Sequence, residues 1–196
     1  MGRDQATNHL VRIFLCILLL AAVGCATSPP ARFYLLSPPA AQSMADQMQK
    51  KTVQVSLQVQ VPDYLDRPQI MIREDSHRLS LAELDRWAEP LSRMLTQFLA
   101  QHLTAGPLPV QVNTPDSGRD DVRIWIQILR LDGKPGGRVT LETNYRIASS
   151  EINAGHVHFF SAAAPASGQG LQGLVQAHEQ VVQELASELT QALQKR

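Results

Sequence analysis

An unbroken apolar run from Ile13 to Val23, with Arg3 and Arg12 before it and Cys25 just after it, decides which part of this chain can belong to a folded domain. At about 1.5 Å per residue the run is too short to cross a hydrocarbon core of roughly 30 Å. Its length, its positively charged approach and the small residues at its end are those of a secretory signal peptide. Residues 1–24 are therefore expected to leave, and fold reasoning starts after them.

The run ends in Ala22-Val23-Gly24-Cys25. This resembles the bacterial lipobox, in which small residues precede a cysteine that is lipidated and becomes N-terminal. Ala22 stands where that motif usually has Leu. The plainer readings are an ordinary secretory signal ending near a cysteine, or an uncleaved anchor. Cysteine usage favours lipidation. Of the two cysteines, Cys16 lies in the apolar run and leaves with it, so the mature chain holds Cys25 alone. No internal disulfide can then form in an oxidising compartment, and lipidation removes an exposed thiol. Several acyl chains, at roughly 0.8 kcal/mol per buried CH₂, make such an anchor near-permanent. In typical Gram-negative sorting an Asp after the lipidated Cys retains the protein in the inner membrane. The residue here is Ala26, which points to the periplasmic face of the outer membrane. Residues 25–31, small and Pro-rich, read as a lipidated tether.

Residues 32–196 read as a single α+β domain. Hydrophobic content of 44% is enough for a core, and a formal charge of +0 leaves no basic footprint for nucleic acid. Phe33 to Leu36 suggests a first strand, and Ala40 to Lys51 a loop or weak helix. Val53, Val55, Leu57, Val59 and Val61 alternate with polar residues as on a half-buried strand. Gln69 to Arg73 and Arg78 to Leu81 flank Asp75-Ser76-His77 as two short strands. A helix is expected next, capped by Ser80 with Glu83 or by Asp85. Its stripe is Trp87, Leu91, Leu95, Phe98, Leu99 and Leu103, with Pro90 in its first turns and Gly106-Pro107 as its stop. Leu108 to Val112 is a short strand. Val122 to Ile128 alternates, with a bulge expected near Leu129 and Leu131. Asp132 to Gly137 connects to a partner strand, Val139 to Ile147. Val157 to Phe160 is a last strand, and Ala162 to Gly170 a linker. A second amphipathic helix runs from Leu171 to Ala192. The expected fold has six or seven strands in a mostly antiparallel β-sheet, covered on one face by the two amphipathic helices.

Chemistry is sparse. His156 and His158 share one side of a strand, but no Cys or acidic cluster stands at ligand spacing, so a polar strand face is preferred to a metal site. His178 lies on the apolar stripe of the last helix and reads as a core histidine. There is no Gly-x-Ser-x-Gly elbow, His-Glu-x-x-His or Walker loop. Asp63 and Asp66 read as turn caps. The expectation is no enzyme, no metal and no cofactor. Arg86-Trp87-Ala88-Glu89-Pro90-Leu91 stands out, because Trp and Arg dominate interface hot spots. Trp87 as the first core residue of the stripe is the competing reading.

Three segments carry a family resemblance: Arg32-Phe33-Tyr34-Leu35-Leu36; Val61-Pro62-Asp63-Tyr64-Leu65-Asp66-Arg67-Pro68-Gln69-Ile70 with Arg73; and Arg86 to Leu91. In this order, with the hairpin from Val122 to Ile147 and the terminal Leu-rich helix, the chain resembles the PqiC-type auxiliary lipoproteins of ABC and MCE transport systems. The resemblance covers almost the whole mature chain. It implies an outer-membrane lipoprotein that docks a periplasm-spanning MCE-domain protein, self-associates into a ring, and supports lipid transport and envelope integrity. It marks Pro62, Asp63, Tyr64, Leu65, Asp66, Arg67, Pro68, Arg73, Arg86, Trp87, Glu89 and Pro90 as signature positions and candidate interface. The alternative is a lipoprotein that binds a small apolar ligand or lipid by itself. A soluble carrier would need a wide apolar cavity, for which a small two-helix domain leaves little room.

Overall fold

The computed structural model describes residues 29–37, 52–113, 120–149, 155–168 and 170–195. Cys25, the segment Ala40 to Lys51 and most of the turn-rich stretch before Asp120 lie outside the described residues. Ala31–Arg196 forms one compact unit. Its elements are β1 (Arg32–Tyr34), β2 (Val53–Gln60), β3 (Gln69–Arg73), β4 (Leu79–Trp87), α1 (Leu91–Ala105), β5 (Val110–Asn113), β6 (Val122–Gly133), β7 (Arg138–Ser149), β8 (Val157–Pro165) and α2 (Gly170–Gln194).

β6 is the spine of an eight-stranded sheet. One of its edges pairs with β7 along its length, and β7 pairs in turn with β8, both antiparallel. Its other edge serves two strands in succession. β2 runs parallel to the first half, from Val55↔Val122 to Gln60↔Gln127. β3 meets the far end in parallel at Ile72↔Gly133. Loop 61–68 carries the chain from one to the other. β5 lies parallel outside β2, β4 antiparallel outside β3, and β1 parallel outside β4.

Period-two alternation places Val55 and Leu57 of β2, Val122, Ile124, Ile126 and Ile128 of β6 and Tyr145 and Ile147 of β7 on one buried face. Both helices cover it. α1 packs on β2 and β5, α2 on β6, β7 and β8, and the two helices touch. The α+β class and the single helical layer are as expected. So is the bulge: register slips between Ile128 and Arg130, which leaves Leu129 outside and returns Leu131 to the core. Gly136, with φ +70, turns the β6–β7 hairpin.

Four expectations need correction. The sheet is mixed, because β1, β2 and β5 pair only in parallel. It has eight strands, since each short segment found a partner. The residues from Ser80 to Trp87 are strand rather than the start of a helix, and α1 begins at Leu91. Pro90 sets that boundary. Proline disfavours helical backbone in the residue before it, and it takes the capping position itself at φ −51. Finally, Ala162 to Pro165 is not linker but the end of β8. Ala162 and Ala164 are buried, and α2 packs on this strand, so small side chains here serve close packing.

Candidate interaction site

The signature residues of loop 61–68 and of the corner at 86–90 meet. The loop closes on the Pro62 carbonyl, which accepts from the amides of Leu65 (2.9 Å) and Asp66 (3.1 Å). Leu65 is buried in the core, and Tyr64 packs half-buried against it. Asp63 and Pro68 are exposed, and the Pro68 carbonyl accepts from the Trp87 amide at 2.7 Å. Asp66 reaches α1. Its two oxygens accept from the amide and the hydroxyl of Ser92, each at 3.0 Å. Pro90 has no side chain to cap the helix, so Asp66 satisfies an orphan donor from a distant loop.

Trp87 is core, wedged edge-on against His178 of α2 with centroids 5.5 Å apart. His178 is buried and donates from Nδ1 to the Leu174 carbonyl at 2.8 Å, and burial pushes its pKa down. Arg67, Arg86 and Glu89 are half-buried. Nε of each arginine and one carboxylate oxygen of Glu89 are shielded from solvent without a hydrogen-bond partner.

Two buried carboxylates tie the strands together, and sequence reasoning missed both. Asp132 of β6 receives Arg73 of β3 on both oxygens (2.7 and 2.5 Å) and Arg130 at 2.9 Å. Burial opposes its charge, but these donors prevail and hold its pKa below the usual range. Its charge is felt by Tyr64, whose pKa is raised by burial first and then by Asp132. Asp85 of β4 receives Arg32 of β1 at 2.7 and 2.8 Å and the Tyr34 hydroxyl at 2.8 Å. The Arg32 hydrogen bonds lower its pKa. A signal was present: Asp85 shares strand parity with buried Trp87, so its carboxylate had to face inward.

No described element covers the opposite face of the sheet. Gln58, Gln60, Trp125, Gln127, Asn144 and Arg146, together with Val157, line a cleft of mixed polar and apolar character there, of about 400 Å³. The Arg146 guanidinium sits 4.3 Å over the Trp125 ring. Val157 and Phe159 of β8 are 67% and 64% exposed. The signature corner is the candidate interface expected from sequence; this face is a second exposed surface, and the clue to it was a Trp on the polar parity of β6.

His156 and His158 line a second cleft of about 380 Å³ with Glu188 and Lys195. His158 stacks on Tyr145 at 5.2 Å, and the Tyr145 hydroxyl donates to Glu188 at 2.7 Å. Burial raises the Tyr145 pKa strongly. Among the described residues no group of three or more His, Cys, Asp or Glu is placed to hold a metal. None of the described helices is long and apolar enough to cross a membrane.

A family model described as "ABC-type transport auxiliary lipoprotein component" matches residues 34–190. Among solved structures, an uncharacterised protein superposes with a TM-score of 0.71 at 16% identity, covering 84% of this chain and 99% of that one. Protein XCC0632 of Xanthomonas campestris, from family DUF330, gives 0.66 at 21% identity, covering 82% and 93%. At such identities the likeness concerns the fold. No curated protein matches the chain.

Proposed function

The chain belongs to the family of ABC-type transport auxiliary lipoprotein components, and from that premise we propose that it is the docking subunit of an MCE/ABC-type intermembrane lipid transport system. Lipidated Cys25 holds it at the periplasmic face of the outer membrane. Copies of the chain associate through the open sheet face into a ring, and the ring receives the tip of an MCE-domain protein that spans the periplasm. The system as a whole moves lipid and supports envelope integrity.

The observation that carries this reading is the sheet face without helices. It combines Trp125 under Arg146, exposed Val157 and Phe159, and a row of carboxamides. Aromatic residues and Arg are enriched at the cores of interfaces, and paired carboxamides suit their rims. The signature corner plays a different part. Asp66 on Ser92, Arg73 on Asp132 and Trp87 in the core hold loop, helix and strands together.

A carrier of apolar ligand is less well supported. The space between sheet and helices is filled by the core, and the cleft on the open face is an open groove that carries four carboxamides and Arg146 beside its apolar groups. A photo-reactive amino acid in place of Phe159, in the full lipidated chain, separates the readings. Cross-links to a second copy support the ring. Cross-links to lipid alone would favour the carrier.

A further inference from the structure

We infer that β1 and the residue just after it form a membrane contact: Phe33 and Leu35 lie against the lipid surface and fix how the domain is oriented on the bilayer. The inference rests on the reading of Cys25 as the lipid anchor.

Alternation divides this short segment. Tyr34 and Leu36 turn inward, Leu36 into the core, while Phe33 and Leu35 are 65% and 55% exposed. The strand is not free to roll these side chains away. Asp85 grips Arg32 through two hydrogen bonds and Tyr34 through a third, and the Tyr34 carbonyl accepts from the Ala88 amide at 2.9 Å. Two large apolar groups are thus held outward at the edge of the sheet, one on β1 and one just beyond it. Natural sheets usually blunt such edges with charge, twist or a covering element.

The occupant follows from chain length. Seven residue steps separate Cys25 from Arg32, so the acyl chains are at most on the order of 25 Å from β1 even with the tether fully extended. That link keeps the bilayer at a high effective concentration beside this one strand, whatever partner is present. The exposed pair on β8 is differently situated. β4, β3, β6 and β7 lie between β1 and β8 in the sheet, so β8 stands about 24 Å from the strand that the tether enters, at the usual strand spacing. Chemistry agrees with the placement. Arg86 of β4 stands in register beside Phe33. Aromatic and aliphatic side chains beside an arginine suit the boundary between acyl chains and anionic headgroups. Because the anchor alone holds the protein to the membrane, the contact acts on orientation. It holds the β1 edge of the sheet at the bilayer and the β8 edge away from it.

Quenching of a site-specific probe tests the inference. With Cys16 removed and Cys25 acylated, a cysteine introduced at Leu35 or at exposed Gln191 of α2, outside the open sheet face, is the only free thiol. The full lipidated Leu35→Cys and Gln191→Cys chains are labelled with nitrobenzoxadiazole. They are reconstituted in vesicles of phosphatidylethanolamine and phosphatidylglycerol with brominated acyl chains. Mass spectrometry first establishes the acyl chains on Cys25; their absence would remove the anchor reading and this inference with it. With the anchor present, brominated lipid should quench the probe at position 35 several-fold more than at 191, and aqueous iodide should show the reverse. Equal access of iodide to both positions overturns the inference. So does a probe at 35 shielded from both quenchers, which would mean that a protein covers the strand. Phe33→Cys repeats the test at the neighbouring position.

Discussion

Arg73 spans from β3 to β6 and places two N–H groups on the two oxygens of Asp132, at 2.7 and 2.5 Å. This is the firmest side-chain tie between the two strands, whose ladder meets only at Ile72↔Gly133. Arg130 adds a third contact to this wholly buried carboxylate. Removing one partner of such a pair leaves an uncompensated charge. Asp132→Ala is expected to cost about 3–5 kcal/mol, read as a lower urea midpoint. A midpoint within error of wild type would show that the tie contributes nothing.

Acid should weaken the fold in two stages. His178 and His102 have pKa values pushed down by burial, so the unfolded chain binds protons there first. Their contribution is complete above about pH 6.5 and falls as pH drops below it. Asp132 and Asp85, held low by their arginines, contribute fully above about pH 3.9, and that part is lost as pH falls further toward their folded values. Urea midpoints measured from pH 8 to 3 should show both declines. His178→Gln should reduce the first and leave the second.

Asp66 acts on α1 from outside the helix. Asp66→Ala removes both hydrogen bonds to Ser92 and should cost about 1 kcal/mol, while Asp66→Asn retains most of it. Urea denaturation decides. An equal loss in the two variants would mean that charge, and not capping, is what matters.

The open face should be dispensable for folding and needed for assembly. Phe159→Asp changes an exposed side chain, so far-UV circular dichroism and the urea midpoint should stay as in wild type. Light scattering should report a smaller particle. A lower midpoint at unchanged mass would assign Phe159 to the monomer's stability.

Local periodicity was legible where one face of an element is buried. The alternation of β2 and β6, the slip at Leu129 and the stripe of α2 are all properties of single segments. What depends on distant partners was not. Leu81, Leu84, Trp87 and Leu91 are spaced as on a helix, yet β4 is a strand because β1 and β3 flank it. The parallel pairing of β2 with β6 joins segments more than sixty residues apart, which no local pattern encodes. Of the candidate site, the signature loop was visible as two prolines around a polar turn. Its partners were not: Ser92 for Asp66 and Asp132 for Arg73. The Trp125–Arg146 pair escaped notice because its positions read as a solvated strand face.

The most direct test is isolation of the full lipidated protein from cross-linked envelopes, beside a Cys25→Ala control. The account predicts that an MCE-domain protein co-purifies with the lipidated chain in a multimer and is lost from the control. A monomer that brings down lipid and no protein partner would contradict it.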